Sequence, residues 1–380
     1  MIPQFYQDHL KSQLQPAQYL LLTLLVHLLQ TIKQAKLEIL AASLPLPILF
    51  ESRRRKIQRF LSLPHLSIET LWFPLVIKWV ENTFTLGEPL YVVIDRTRWM
   101  NINLLVISIV WGHRGWPVYW EELDKKGNSN FNEQKQAFSK VLPLFKDYGV
   151  VVLGDREFCS VRLGRWLKRM KVDFCLRLKS NEHVETETDL YTQFSQLGLR
   201  PGMQFYFEGV RVTKQKGFGP FTLGAKWQRK LKGDSPKEPW YILTSLGDLP
   251  SAIDAYKMRF SIEEMFRDFK AGGYNLEGTN VEGKHLCALV LLIAIAYTTA
   301  ALNGQTIKQM GIQKYVGRVK EPGRVAPRHS RFYIGLYGQT WVQFMMSCAE
   351  IVSELLLLSP NKRPFYEKGK RAMELIYNTL

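Results

Sequence analysis

The sequence predicts an α/β protein: a mixed β-sheet that carries a strand-rich insertion, with helical regions at both ends of the chain. Three observations lead there. Residues 1 to about 80 place apolar positions at helical spacing, whereas from residue 89 the texture changes to short β-branched runs bounded by turn residues. In that second stretch strands and helices follow in the order β-β-β-α-β-α-β. A Gly-, Thr- and aromatic-rich segment, residues 182–248, then separates this block from another long helical stretch.

The elements follow in order. In the N-terminal part, "KQAKLEILAASLPLPILFESRRRKIQRFLSL" contains two helices separated by Pro45 and Pro47, with Ser52 placed to cap the second. That helix opens on "SRRRK", a basic cluster that is equally well a solvated face or a DNA contact. "PLYVVIDRT" is a first strand ending in Asp95. "NLLVISIVWG" and "GWPVYWEEL", around the turn signal "GHRG", add two antiparallel strands. "NFNEQKQAFSKVLPLFKD" is helical, "YGVVVLGD" is a fourth strand ending in Asp155, "SVRLGRWLKRMK" is a helix and "VDFCLRLK" a fifth strand. Residues 182–248 read as several short strands that form an insertion rather than a continuation of the sheet, closing on "PWYILTSL". "SAIDAYKMRFSIEEMFRDFK" then reads as one helix with Ser251 as N-cap, stopped by "AGG".

At 380 residues the chain has room for two or three domains. Fifty-one Lys plus Arg against thirty-four Asp plus Glu leave a net charge of +17, spread along the chain, which favours a polyanionic partner such as DNA, RNA or anionic lipid. Cys159, Cys175, Cys287 and Cys348 form no C-x-x-C pair and no Cys/His cluster, so they read as reduced thiols without a zinc site. "YLLLTLLVHLL" is too short to span a membrane. "LCALVLLIAIAYTTAAL", residues 286–302, falls short of the ~20 residues a span needs and reads better as a buried core helix. "GTNVEGKH" fails as a phosphate-binding loop, because His285 stands where a hydroxyl residue is required and a helix precedes it.

The stretch "YKMRFSIEEMFRDFK" concentrates the charged chemistry. On a single helix at ~100° per residue, with Tyr256 at zero, Arg259 falls at about 300°, Glu263 at about 340° and Lys270 at about 320°. Met258, Ile262, Met265, Phe266 and Phe269 lie beside this stripe, and Lys257, Glu264 and Asp268 lie on the far side. Glu263 is thus expected at the border of the buried face and Glu264 in solvent. An Arg259–Glu263 ion pair worth ~0.3–0.5 kcal/mol is one complete explanation of the pattern. The other requires Asp95 and Asp155 to sit side by side at a sheet edge with Glu263 beside them. Three converging carboxylates need cations, and hard oxygen donors suit two Mg²⁺ or Mn²⁺ ions ~4 Å apart that promote phosphodiester displacement.

The element order, with Asp95, Asp155 and Glu263 in these places, resembles the ribonuclease H-like catalytic core of DDE transposases. Tyr256, Arg259, Glu263 and Lys270 match the motif Y-x2-R-x3-E-x6-K of insertion-sequence family four, and the likeness covers roughly residues 89–300. It implies a helical DNA-binding domain at 1–85, a ribonuclease H-like core at 86–181 and 249–305, a β-strand insertion at 182–248 and a basic helical C-terminal region at 306–380. The metal ligands would be Asp95, Asp155 and Glu263, with two Mg²⁺ or Mn²⁺ ions as cofactors. Tyr256, Arg259 and Lys270 would hold phosphates. Trp240, or alternatively Trp227, would stack on a flipped base in hairpin chemistry; Trp240 also fits as a core residue of its strand. The partners implied are double-stranded DNA, as terminal inverted repeats and target, and a second subunit in the synaptic complex. The location implied is cytoplasmic, at the bacterial nucleoid, with no membrane. A non-catalytic DNA-binding relative and another ribonuclease H-like nuclease remain as alternatives. One position departs from the pattern: "GDREF" carries Glu157 where many relatives have glycine, and Glu157 stays outside the triad as an outer ligand or a helix-start acid.

Overall fold

The structure, a computed structural model, describes residues 2–158, 160–188, 190–213, 218–228, 238–323, 328–358 and 360–380. Cys159 and the stretch 324–327 of the basic tail lie outside the described residues; among the described residues Cys175 and Cys348 carry free thiols, as expected. The chain divides into two compact units, Met1–Leu75 with Arg267–Leu380, and Val76–Phe266.

In chain order the elements begin with helices α1 (Gln4–Gln13), α2 (Pro16–Ile32), α3 (Leu37–Ser43), α4 (Phe50–Leu61) and α5 (Phe73–Thr83). Strands β1 (Pro89–Trp99), β2 (Ile102–Trp111) and β3 (Arg114–Glu122) follow, then α6 (Phe131–Val141), β4 (Gly149–Gly154), α7 (Val161–Arg169) and β5 (Asp173–Arg177). Next come β6 (His183–Glu187), β7 (Leu190–Gln193), β8 (Gln204–Val212), β9 (Phe218–Lys226) and β10 (Trp240–Thr244). Helices α8 (Leu249–Met258), α9 (Phe260–Phe269), α10 (Gly283–Gln309), α11 (Arg331–Ser347), α12 (Ala349–Leu357) and α13 (Arg363–Tyr377) complete the chain. Pro45 and Pro47 do separate α3 from α4. Ser52 is no cap, because α4 has already begun at Phe50 with Leu49 before it.

The unit Val76–Phe266 is built on one ten-stranded sheet of order β3-β2-β1-β4-β5-β10-β9-β8-β6-β7. β1, β4 and β5 run parallel, and β2 and β3 add antiparallel to β1. This is the expected mixed sheet. The segment 182–248 departs from expectation, since its strands continue the sheet instead of standing apart from it. β5 would otherwise end the sheet with unpaired backbone groups. β10 covers that edge antiparallel, from Ile242 opposite Arg177 to Thr244 opposite Cys175. Trp79 of α5 stacks on Trp116 of the edge strand β3, ring centroids 3.8 Å apart.

The other unit is helical. Its centre is α10, whose most apolar 18-residue window is 83% buried, so the apolar run at 286–302 is a core helix of this unit. Close packing of α10 on α11 depends on two glycines. A Cβ at Gly304 would run into the carbonyl of Arg331, and one at Gly335 into the carbonyl of Ala300. Tyr6 from α1 reaches the same core, its hydroxyl bonding Thr298 at 3.0 Å.

Candidate active site

Sheet register brings the two aspartates together. Parallel pairing of β1 with β4 ends at Ile94 opposite Gly154, so Asp95 and Asp155 are the next residues on adjacent strands. β1 itself does not stop at Asp95; its antiparallel partner β2 carries it on to Trp99 opposite Ile102. Each aspartate is fixed by a nearby backbone N–H. Arg96 N donates to Asp95 Oδ1 at 2.7 Å, and Glu157 N to Asp155 Oδ1 at 2.8 Å.

The helix that delivers Glu263 is not the single one the sequence predicts. Arg259 interrupts it, with Arg259 N bonded to Tyr256 O and Ile262 N to Arg259 O, two i→i+3 turns in place of α-helical bonds. The N-cap of α8 is Asp248, whose carboxylate accepts from Ser251 N at 2.7 Å; Ser251 is therefore inside the first turn. The break also rearranges the predicted faces. Glu263 is half-exposed, Glu264 is less exposed and pairs with Arg114, and Asp268 is buried. Met258, placed on the apolar face by the single helix, is exposed, as is Phe260.

Two features seat α9 against the sheet. Gly115 of β3 lets the helix approach so closely that a Cβ there would lie 3.2 Å from Ile262 Cα and 3.2 Å from Met265 Sδ. Arg259, with a side chain only 6% exposed, bridges the carboxylates: Nη1 lies 3.5 Å from Asp95 Oδ2 and Nη2 donates to Glu263 Oε1 at 2.6 Å.

Burial, followed by the negative charge of Asp155, pushes the Asp95 carboxyl up to about 7, although the Arg96 N–H and the Arg259 guanidinium pull the other way. A carboxyl held there against like charge is a group that a cation would stabilise, and the oxygen-only donor set is the one Mg²⁺ or Mn²⁺ takes. Asp95 and Asp155 thus fit a divalent ion. Among the described residues no three acidic, His or Cys side chains are yet gathered to hold one, and the Arg259 guanidinium lies on both Asp95 and Glu263.

The remaining candidates divide. Tyr256 is fully buried, its ring edge-on to Trp240 at 5.0 Å and 5.7 Å from the Arg259 guanidinium carbon. Trp240 is half-buried and also meets Phe260 at 6.4 Å, while Phe260 lies under Arg259 at 4.5 Å. Trp227 is half-buried one residue beyond Lys226, which pairs with Trp240 across β9 and β10. Lys270 belongs to the helical unit, where it pairs with Glu277 at 2.6 Å.

The sequence singles out Glu157 as an outer ligand or a helix-start acid but gives no sign that Arg96, beside the aspartates, is its partner. Arg96 forks onto Glu157, Nε to Oε1 at 2.7 Å and Nη2 to Oε2 at 2.8 Å. Burial alone would raise Glu157, but the Arg96 fork and the Ser129 donors outweigh it and hold the carboxyl below its ordinary value. The signals available were the acidic side chain at Glu157, already out of pattern, and the arginine directly after Asp95.

A cryo-EM structure of a piggyBac transposase synaptic complex with hairpin DNA is similar to 92% of this chain and 78% of its own, at 12% identity and a TM-score of 0.43. No curated protein matches the sequence. The family model of the transposase DDE domain matches residues 108–299, which include Asp155 and Glu263 and begin after Asp95. That match covers just over half of the chain, and the chain belongs to the transposase DDE domain family.

Proposed function

We propose that this protein is the transposase of an insertion sequence, which binds terminal inverted repeats, cuts DNA at them and joins the freed ends to target DNA. The observation that supports the reading is the strand register that sets Asp95 beside Asp155, together with Arg259, which contacts both Asp95 and Glu263. In this reading the three carboxylates hold two divalent ions. When bound, the ions supply Lewis acidity for activating a water or a 3′-hydroxyl and for stabilising the leaving oxygen.

The chain's own residues do the rest. Arg259 releases Asp95 and turns its planar fork to a phosphate oxygen at the cleaved bond, where its charge remains useful. Tyr256 backs that arginine from below, and Lys270 adds a point charge to the DNA. Trp240 and the exposed Phe260 offer aromatic faces to a base that leaves the stack. Hydrolysis of one strand frees a 3′-hydroxyl, which attacks the opposite strand to close a hairpin. Water reopens the hairpin, and the same 3′-ends attack the target. The N-terminal helices and the basic tail recognise the repeats, and two subunits pair the ends.

The test uses a DNA fragment carrying the boundaries of the coding element, with Mg²⁺ or Mn²⁺, and compares the wild type with Glu263→Gln and Glu264→Gln. The reading expects Glu263→Gln to lose more than ~100-fold in cleavage, beyond the usual cost of an outer-shell change, while Glu264→Gln keeps most of its activity. Ends that are bound but never cut by the wild type would make the chain a non-catalytic DNA-binding relative. Cleavage that follows DNA structure and ignores the element ends would make it a nuclease of another kind.

A further inference from the structure

Backbone pairing of β1 with β4 ends one residue before the aspartates, at Ile94 and Gly154. Beyond that point side chains hold the two strands together. Arg96, which follows Asp95, and Glu157, two residues after Asp155, form a bidentate ion pair whose side chains are 6% and 13% exposed. The pair is itself held on every side. Arg96 Nη1 donates to Asn103 Oδ1 at 2.6 Å and Nη2 to Asn128 Oδ1 at 3.1 Å. Glu157 Oε1 also accepts from Ser129 N at 3.0 Å and Ser129 Oγ at 3.2 Å.

The same two residues touch the aspartates through their backbones. The Arg96 N–H binds Asp95 Oδ1 and the Glu157 N–H binds Asp155 Oδ1. A movement of either clamp residue therefore turns the carboxylate beside it. Glu157 is also a fourth acid near the site, but both of its oxygens are taken up by Arg96 and Ser129. It adds no net charge there and does not compete as a ligand.

We propose that Arg96 and Glu157 are positioning residues, a clamp that continues the β1–β4 pairing by side chains and sets the spacing and orientation of Asp95 and Asp155. This rests on the reading of those aspartates as metal ligands. The clamp acts through bidentate geometry, so charge alone does not replace it.

The experiment is an electron paramagnetic resonance titration of the full-length protein with Mn²⁺, without DNA, on wild type, Asp95→Asn, Glu157→Gln and Arg96→Lys. The expected result is 10- to 100-fold weaker Mn²⁺ binding in Glu157→Gln and in Arg96→Lys, the range for lost outer-shell partners. Their affinity for DNA in EDTA should stay at the wild-type level, and cleavage should recover as Mn²⁺ is raised; a general loss of structure would lower both. Arg96→Lys keeps the charge and the stem, so it decides the matter if Glu157→Gln does not fold. Binding within twofold of wild type in the clamp variants, alongside lost binding in Asp95→Asn, would overturn the clamp alone. Wild-type binding in Asp95→Asn would overturn the ligand reading, and the clamp with it.

Discussion

Asp95 sits where burial and a neighbouring acid oppose its charge, and that fixes a pH dependence. Its carboxyl is pushed up to about 7 from an ordinary value of 3.8. A raised folded-state value means that the folded chain binds this proton more tightly than the unfolded chain. The resulting stability is complete below about pH 4 and is lost as the pH rises through about 7. Asp95→Asn keeps a neutral group there, so in metal-free buffer it should match the wild type near pH 4. At pH 8 it should be more stable by roughly 1–4 kcal/mol, at about 1.4 kcal/mol per pH unit. Urea unfolding at the two pH values measures this; a gap that does not change with pH would rule out Asp95 as the titrating group. Asp95 and Asp155 were legible in the sequence because each is an acid at the end of an apolar run. The clamp beside them was not. Arg96 and Glu157 are 61 residues apart, and only the adjacency of β1 and β4 makes them partners.

The segment from Leu249 to Phe269 shows what a helical wheel can and cannot read. Over Phe260–Phe269 the apolar positions Ile262, Met265, Phe266 and Phe269 are buried as predicted. The faces on either side shift because the two tight turns at Arg259 change the winding, and neither Pro nor Gly marks the place. An arginine that bonds two carboxylates provides the stabilisation for the break, and that is a tertiary fact. The strands of 182–248 were likewise legible as strands, but nothing local told that β10 would pair with β5. At this scale Gly115 is the sensitive position, because α9 rests on its missing side chain. Gly115→Val should cost about 1–3 kcal/mol, the usual range for overpacking, and should displace the turn that carries Glu263. Cleavage measured well below the unfolding temperature should then fall in a protein that is still folded. Full activity in a folded Gly115→Val protein would show that the spacing of α9 from β3 does not matter to the site.

At the scale of the whole molecule the charge of +17 sets how DNA is held. Each phosphate neutralised lowers the slope of log affinity against log salt by about 0.9, whichever reading of the chemistry holds. The slope therefore separates contacting cations from solvated ones. Helix α4 is the place to ask, since its basic cluster was open to both explanations. Arg54 is paired with Glu38 at 3.7 Å, whereas Arg55, Lys56 and Arg59 are exposed. Changing Arg55, Lys56 and Arg59 together to Gln should reduce the slope by up to ~2.7 if all three neutralise phosphates. An unchanged slope would make the cluster a solvated face. The comparison of substrates carries a second result. Phosphate contacts carry no sequence information, so their loss should weaken binding to terminal repeats and to unrelated DNA by the same factor. A larger loss on the repeats would mean that α4 reaches base edges as well, placing recognition of the element's ends on this helix.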